Sequence, residues 1–91
     1  MSEYEILFTV ELGPGNAPTG RTIHHAGSTV FPKPHALAIV QYPGDQGCYL
    51  LYLDDAGEEQ TDTYHDSPAA AMAQAAWEFT VEPHEWKSTL R

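Results

Sequence analysis

Thirteen carboxylates, five histidines and one cysteine are the groups in this 91-residue sequence whose chemistry could go beyond packing. The histidines, His24, His25, His35, His65 and His84, invite a metal site, because neutral imidazole is a ready ligand for transition metals. Their spacing argues against one. His24 and His25 are adjacent and on a strand would point to opposite faces, and no His-x3-His, Cys-x2-Cys or His-Glu-x2-His pattern occurs. Protonating all five moves the formal charge from −9 to −4, so a mild pH dependence of binding is the expectation they leave. Asp54, Asp55, Glu58 and Glu59 fail as a calcium loop: counting from Asp54, the third position is Ala56, and the glycine falls fourth instead of sixth.

Nucleophilic chemistry fares no better. Cys48 opens an apolar run and reads as a packed thiol, since a reactive one needs an activating base and a lowered pKa. Gly-x-Ser-x-Gly is absent, and Gly13-Pro14-Gly15 lacks the Gly-Lys-Ser/Thr of a phosphate loop. Asp62 and Asp66 are the kind of carboxylate pair that any acidic chain offers. The residues therefore point to a protein that is not an enzyme, with no cofactor and no metal.

Where the acids sit is more informative than their number. Thirteen Asp and Glu against four Lys and Arg disfavour nucleic acid and anionic membranes as partners. Six acids fall within residues 54–66 (Asp54, Asp55, Glu58, Glu59, Asp62 and Asp66) with no Lys or Arg among them, and Tyr64 lies inside the run. Such a one-sign patch can steer a basic protein partner, and tyrosine beside carboxylates suits a protein interface. The same acids also suit a solvated face that keeps the chain soluble and guards an edge strand.

The elements that must position these groups follow from period and punctuation. Ile6, Phe8, Val10 and Leu12 alternate with Leu7, Thr9 and Glu11, which predicts a strand with one buried face. Residues 13–20 hold three glycines and two prolines and read as a loop, and residues 22–31 as an extended segment. Residues 37–42 and 48–54 are apolar on both faces, as in central strands. The turn formers of residues 43–47 join them as a hairpin. Residues 54–58 form a second turn, and the polar residues 60–65 return as an edge or half-exposed strand.

Ser67 as N-cap and Pro68 at the first helical position start a helix that six alanines favour and that Glu82-Pro83 ends near Thr80. On a helical wheel Ala69, Met72, Ala73, Ala75, Ala76, Trp77 and Phe79 form the apolar arc, with Gln74, Glu78 and Glu82 opposite. The flank Ala70, Ala73 and Trp77 admits two readings, a homodimer surface or the rim of the core. Residues 83–88 suggest a last helical turn that returns Trp86 to the core.

Within residues 49–86, Tyr52-Leu53-Asp54, then Thr61-Asp62-Thr63-Tyr64-His65-Asp66-Ser67, then Gln74-Ala75, Glu78-Phe79 and Trp86 form a pattern. It resembles a group of small standalone bacterial proteins, largely uncharacterised, some of which look like immunity proteins of toxin systems. The sequence departs from the pattern at Thr80, where the group has a glycine, and in its alanine-rich first helical turns. The resemblance implies no catalytic residues and favours a binding role.

Residues 1–91 are thus expected to form one α+β domain: a mainly antiparallel sheet of three to five strands with one C-terminal helix on one face. Phe79, Met72 and Trp77 are expected to meet Phe8, Ile39 and Leu51 or their neighbours there. The single cysteine, the absence of a basic N-terminal start and an apolar run of at most six residues (48–53) lead to the expectation of a cytoplasmic protein. The function expected is an immunity-like module that occludes a basic toxin or effector through Asp54, Asp55, Glu58, Glu59, Asp62, Tyr64 and Asp66. The alternative is a homodimeric stress or housekeeping accessory protein joined through Ala70, Ala73 and Trp77.

Overall fold

The computed structural model describes residues 4–16, 25–26, 29–30 and 33–88. Five strands, β1 (Glu5–Glu11), β4 (Ala36–Gln41), β5 (Cys48–Leu53), β6 (Glu59–His65) and β7 (Lys87–Ser88), make one antiparallel sheet in the order β6-β5-β4-β1-β7. The helix α1 (Pro68–Phe79) packs on it against β5 and β6, which gives the α+β architecture. β2 (His25–Ala26) and β3 (Thr29–Val30) pair separately inside the segment read as extended. The rest of that segment, with His24, and residues 17–20 of the predicted loop lie outside the described residues.

Tight turns set the register of the central hairpins. Tyr42-Pro43-Gly44-Asp45 closes with Asp45 N–H donating to the Tyr42 carbonyl at 3.1 Å, and Gly44 takes the positive φ of +80° that the third residue of a type II turn requires. The β5–β6 turn is organised by Asp54, whose Oδ1 accepts the N–H groups of Ala56 and Glu58, both at 2.9 Å. These side-chain bonds add to the backbone pair in which Asp54 N–H donates to the Glu58 carbonyl at 2.8 Å.

The core lies between the sheet and α1. Leu37 and Ile39 of β4, Leu50 and Tyr52 of β5, Ala71, Ala75 and Phe79 of α1, and then Val81 and Trp86 are all buried there, with Met72 and Phe8 packed at its margin. Three expectations change. The simple alternation of β1 is broken by a bulge: Ile6 pairs with Val40 and Phe8 with Ile39, so Leu7 is the extra residue. Leu7 joins the core while Ile6 is 42% exposed. Leu51 does not meet the helix; it belongs to the opposite sheet face with Ala38 and Val40, because Leu50 and Tyr52 hold the helix-facing positions.

The third change is the roll of the helix. The buried face is Ala71, Ala75, Glu78 and Phe79, so Glu78 turns inward, Trp77 is 41% exposed, and Ala73 and Ala76 are exposed too. Alanine at 71 and 75 lets the backbone lie close to the sheet, and that rotation carries the position four beyond Gln74 inward too. Glu78 is tolerated inside because Tyr52 Oη–H and Gln74 Nε2–H, the latter at 3.0 Å, both donate to its Oε1.

The ends of α1 match their residues. Ser67 Oγ accepts the Ala70 N–H at 3.2 Å, and Thr80 closes the helix in the left-handed region at φ 56°. Beyond it residues 83–88 form a single 3-10 turn (Pro83–Glu85) followed by β7, and Trp86 between them is buried in the core. Glu85 fixes this segment, accepting the Glu82 N–H at 2.8 Å and Asn16 Nδ2–H at 3.3 Å.

Candidate functional site

The face of the sheet opposite α1 carries the groups most suited to an external contact. Cross-strand partners share a face, so the pairings Leu51↔Asp62 and Tyr49↔Tyr64 place Asp62 and Tyr64 there. Glu59 would fall on the other side by simple alternation. A bulge corrects this: Tyr52 pairs with Thr61 but Leu53 with Glu59, leaving Gln60 as the extra residue and turning Glu59 to the face of Asp62. Burial first and the neighbouring Asp62 second hold Glu59 above its ordinary 4.5.

Beside them runs a row of four tyrosines. Tyr4–Tyr42, Tyr42–Tyr49 and Tyr49–Tyr64 meet edge to face with centroids 5.5, 5.5 and 5.1 Å apart. Tyr42 and Tyr64 are 39% and 49% exposed, large for aromatic rings in an ordered strand region. Both hydroxyls are pushed up in pKa, first by partial desolvation; next comes the charge of Glu59 for Tyr42, and the hydrogen bond to Asp45 for Tyr64.

Tyr64 is fixed from below. Its Oη–H donates to Asp45 Oδ1 at 3.2 Å, and the same oxygen accepts the Gly47 N–H at 3.1 Å. A methyl group at Gly47 would lie 2.1 Å from the Tyr64 hydroxyl and 2.6 Å from the His65 carbonyl, so only glycine lets the ring rest there. Gln41 Nε2 holds the same loop by donating to the carbonyls of Asp45 and Gly47 at 3.2 and 3.3 Å.

The seven residues expected to act as one patch are therefore divided. Glu59, Asp62 and Tyr64 share the sheet face opposite α1 and are exposed at its β6 margin, beside the buried cluster of Ala38, Val40 and Leu51, and Asp66 is exposed just beyond the end of β6. Asp54 is half-buried and committed to its turn. Asp55 is exposed on that turn, and Glu58 is exposed with its N–H and carbonyl both bonded to Asp54. Asp54 and Asp55 also line an open cleft of about 430 Å³ with Lys33 and His35, so this end is not one-signed. Ala73 and Trp77 are exposed and Ala70 is half-buried on the far side of α1. There Ala69, Met72, Ala73, Ala76, Val81 and Pro83 border a shallow apolar groove.

Sequence reasoning missed a second group, the polar side chains between β5, β6 and α1. Gln74 and Tyr52 donate to Glu78, and on β6 Thr63 Oγ1 lies 2.8 Å from His65 Nε2. Burial raises the Tyr52 hydroxyl far above its ordinary range, with Glu78 adding to it. Burial lowers the His65 imidazole against the opposing pull of Glu78 and Asp66. The clefts named here are not lined by any of these five residues, so the bonds to Glu78 read as an internal fastening of α1 to β5. Cys48 is fully buried, and burial pushes its thiol up, which keeps it protonated and unreactive. Among the described residues no three His, Cys, Asp or Glu side chains converge in an arrangement that could hold a metal ion. No helix among them is long and apolar enough to cross a membrane.

No protein-family model, curated protein or solved structure matches this chain.

Proposed function

We propose that this protein is a non-enzymatic binding module that contacts a basic protein through the Glu59, Asp62 and Tyr64 face and the adjoining tyrosine row. The observation that carries the reading is the juxtaposition of exposed Glu59, Asp62 and Tyr64 on one face of the edge strand β6, with exposed Tyr42 joined to Tyr64 through Tyr49. Exposed aromatic rings supply contact area at low entropic cost, and cations are attracted both to their faces and to the carboxylates. A toxin or effector occluded by this face is the partner class that the resemblance to immunity-like proteins favours, and a reducing cytoplasm suits the lone thiol.

Affinity capture from a lysate of the source organism, run in parallel with a Glu58→Lys/Glu59→Lys/Asp62→Lys variant, is expected to return a basic protein that the variant loses. Equal capture by both chains contradicts the reading. The exposure of Trp77 beside the apolar groove favours a second reading, a homodimer through α1. Sedimentation of wild type against Trp77→Glu decides that one, since two monomers remove it.

A further inference from the structure

We infer that the partner is engaged by strand addition: an extended segment with lysine or arginine at alternate positions pairs with the free edge of β6, along residues 61–65. This rests on the acidic–tyrosine face being the contact surface, and it specifies how that surface is used. β6 ends the sheet, and among the described residues the backbone of 61–65 is bonded only by β5. Alternate residues of an edge strand point N–H and C=O groups outward, and such a row is a template for a further strand. The Gln60 bulge twists the first residues of β6 out of register, so the usable edge is the regular run beyond it.

Side chains then decide what that strand is. An added strand presents alternate residues to the two faces of the sheet. On the face opposite α1 they fall beside Asp62 and Tyr64 with Glu59 at the end of the row, a line that accepts cations and aromatic contact. On the helix face they meet Thr61, Thr63 and His65, which suit small polar residues. A second copy of this chain is a poor occupant, because its own Glu59 and Asp62 would be brought against the same carboxylates in a molecule of net charge −9. Charge complementarity thus selects a cationic strand, and the face selects its alternation.

The test uses the full chain and the blocked heptapeptide Lys-Thr-Lys-Thr-Lys-Thr-Lys, with two derivatives that each carry three N-methyl groups, on the last three lysine amides in one and on the three threonine amides in the other. In one derivative the methyl groups face β6 and in the other they face solvent, while charge and composition stay the same. The expected result at low ionic strength is measurable binding of the parent peptide, weakened about tenfold or more by one methylation pattern and little by the other. Binding that tolerates both patterns equally, or loses to both equally, overturns strand addition. If it still falls with salt and with Glu59→Lys/Asp62→Lys, the acidic-face reading survives that failure. No binding of the parent peptide overturns the inference as well, and the capture experiment then judges the face by itself.

Discussion

Glu78 shows how a single side chain can reverse its expected role. Its type and its place on the wheel suggested solvent, yet it is 3% exposed and accepts two hydrogen bonds from Tyr52 and Gln74. The legible signal was weak: Glu78 lies four residues beyond Gln74 and three beyond Ala75, on the side that two small alanines leave open. Removing one partner strands the other, so Tyr52→Phe and Glu78→Leu should each lose about 1–3 kcal/mol by chemical denaturation. The double variant should lose clearly less than the sum, because neither member of the Tyr52–Glu78 pair is then left buried without the other. Strict additivity would mean that the two groups do not form a unit.

Two titrating side chains act in opposite directions with pH. Burial lowers His65 below its ordinary 6.5, so the unfolded chain binds this proton more readily. Its contribution is complete above that value and is lost as pH falls below it; His65→Gln should flatten the decline in stability on acidification below 6.5. Glu59 has the other sign: its raised pKa means that ionisation at neutral pH opposes folding. Glu59→Gln should therefore raise Tm at pH 7, and the gain should vanish in acid below the ordinary 4.5, where both states are protonated. A residue that costs stability where it is ionised is consistent with one kept for binding.

At the scale of elements, the strands and the helix were largely readable because their signals are local. Ser67-Pro68 starts the helix and Pro83 limits it, while the apolar strands β4 and β5 are separated by a Pro-Gly turn. The faces were less readable, because the bulges at Leu7 and Gln60 each shift the period by one residue and nothing in the sequence marks them. That is also why the candidate patch was read as one run of acids: contiguity in sequence could not show that Asp54 is spent on its own turn while Glu59 is re-aimed beside Asp62. The helix end offers a direct check. Thr80 is a β-branched residue at φ 56°, and Thr80→Gly should stabilise the protein by about 1 kcal/mol, seen as a higher midpoint at an unchanged denaturant slope. At Gly47 the direction reverses, and Gly47→Ala should both lower stability and displace the Tyr64 ring, visible as altered Tyr64 ring resonances.

For the molecule as a whole, a net charge of −9 says which partners are repelled, whereas the fold says where attraction is concentrated. α1 and the larger core cluster occupy one side, a smaller buried cluster with the acidic and tyrosine groups beside it the other, and β6 lies at the sheet margin. Long-range attraction and direct contact then act at the same place, so association with a basic partner should slow steeply with added salt. The most direct test of this account is amide and ring NMR mapping on the 91-residue chain titrated with the alternating lysine–threonine heptapeptide. The account predicts shifts concentrated on residues 59–65 and on the rings of Tyr42, Tyr49 and Tyr64, diminishing as salt is raised. Shifts centred instead on Ala73, Ala76 and Trp77 of α1, or none at low salt, would contradict it.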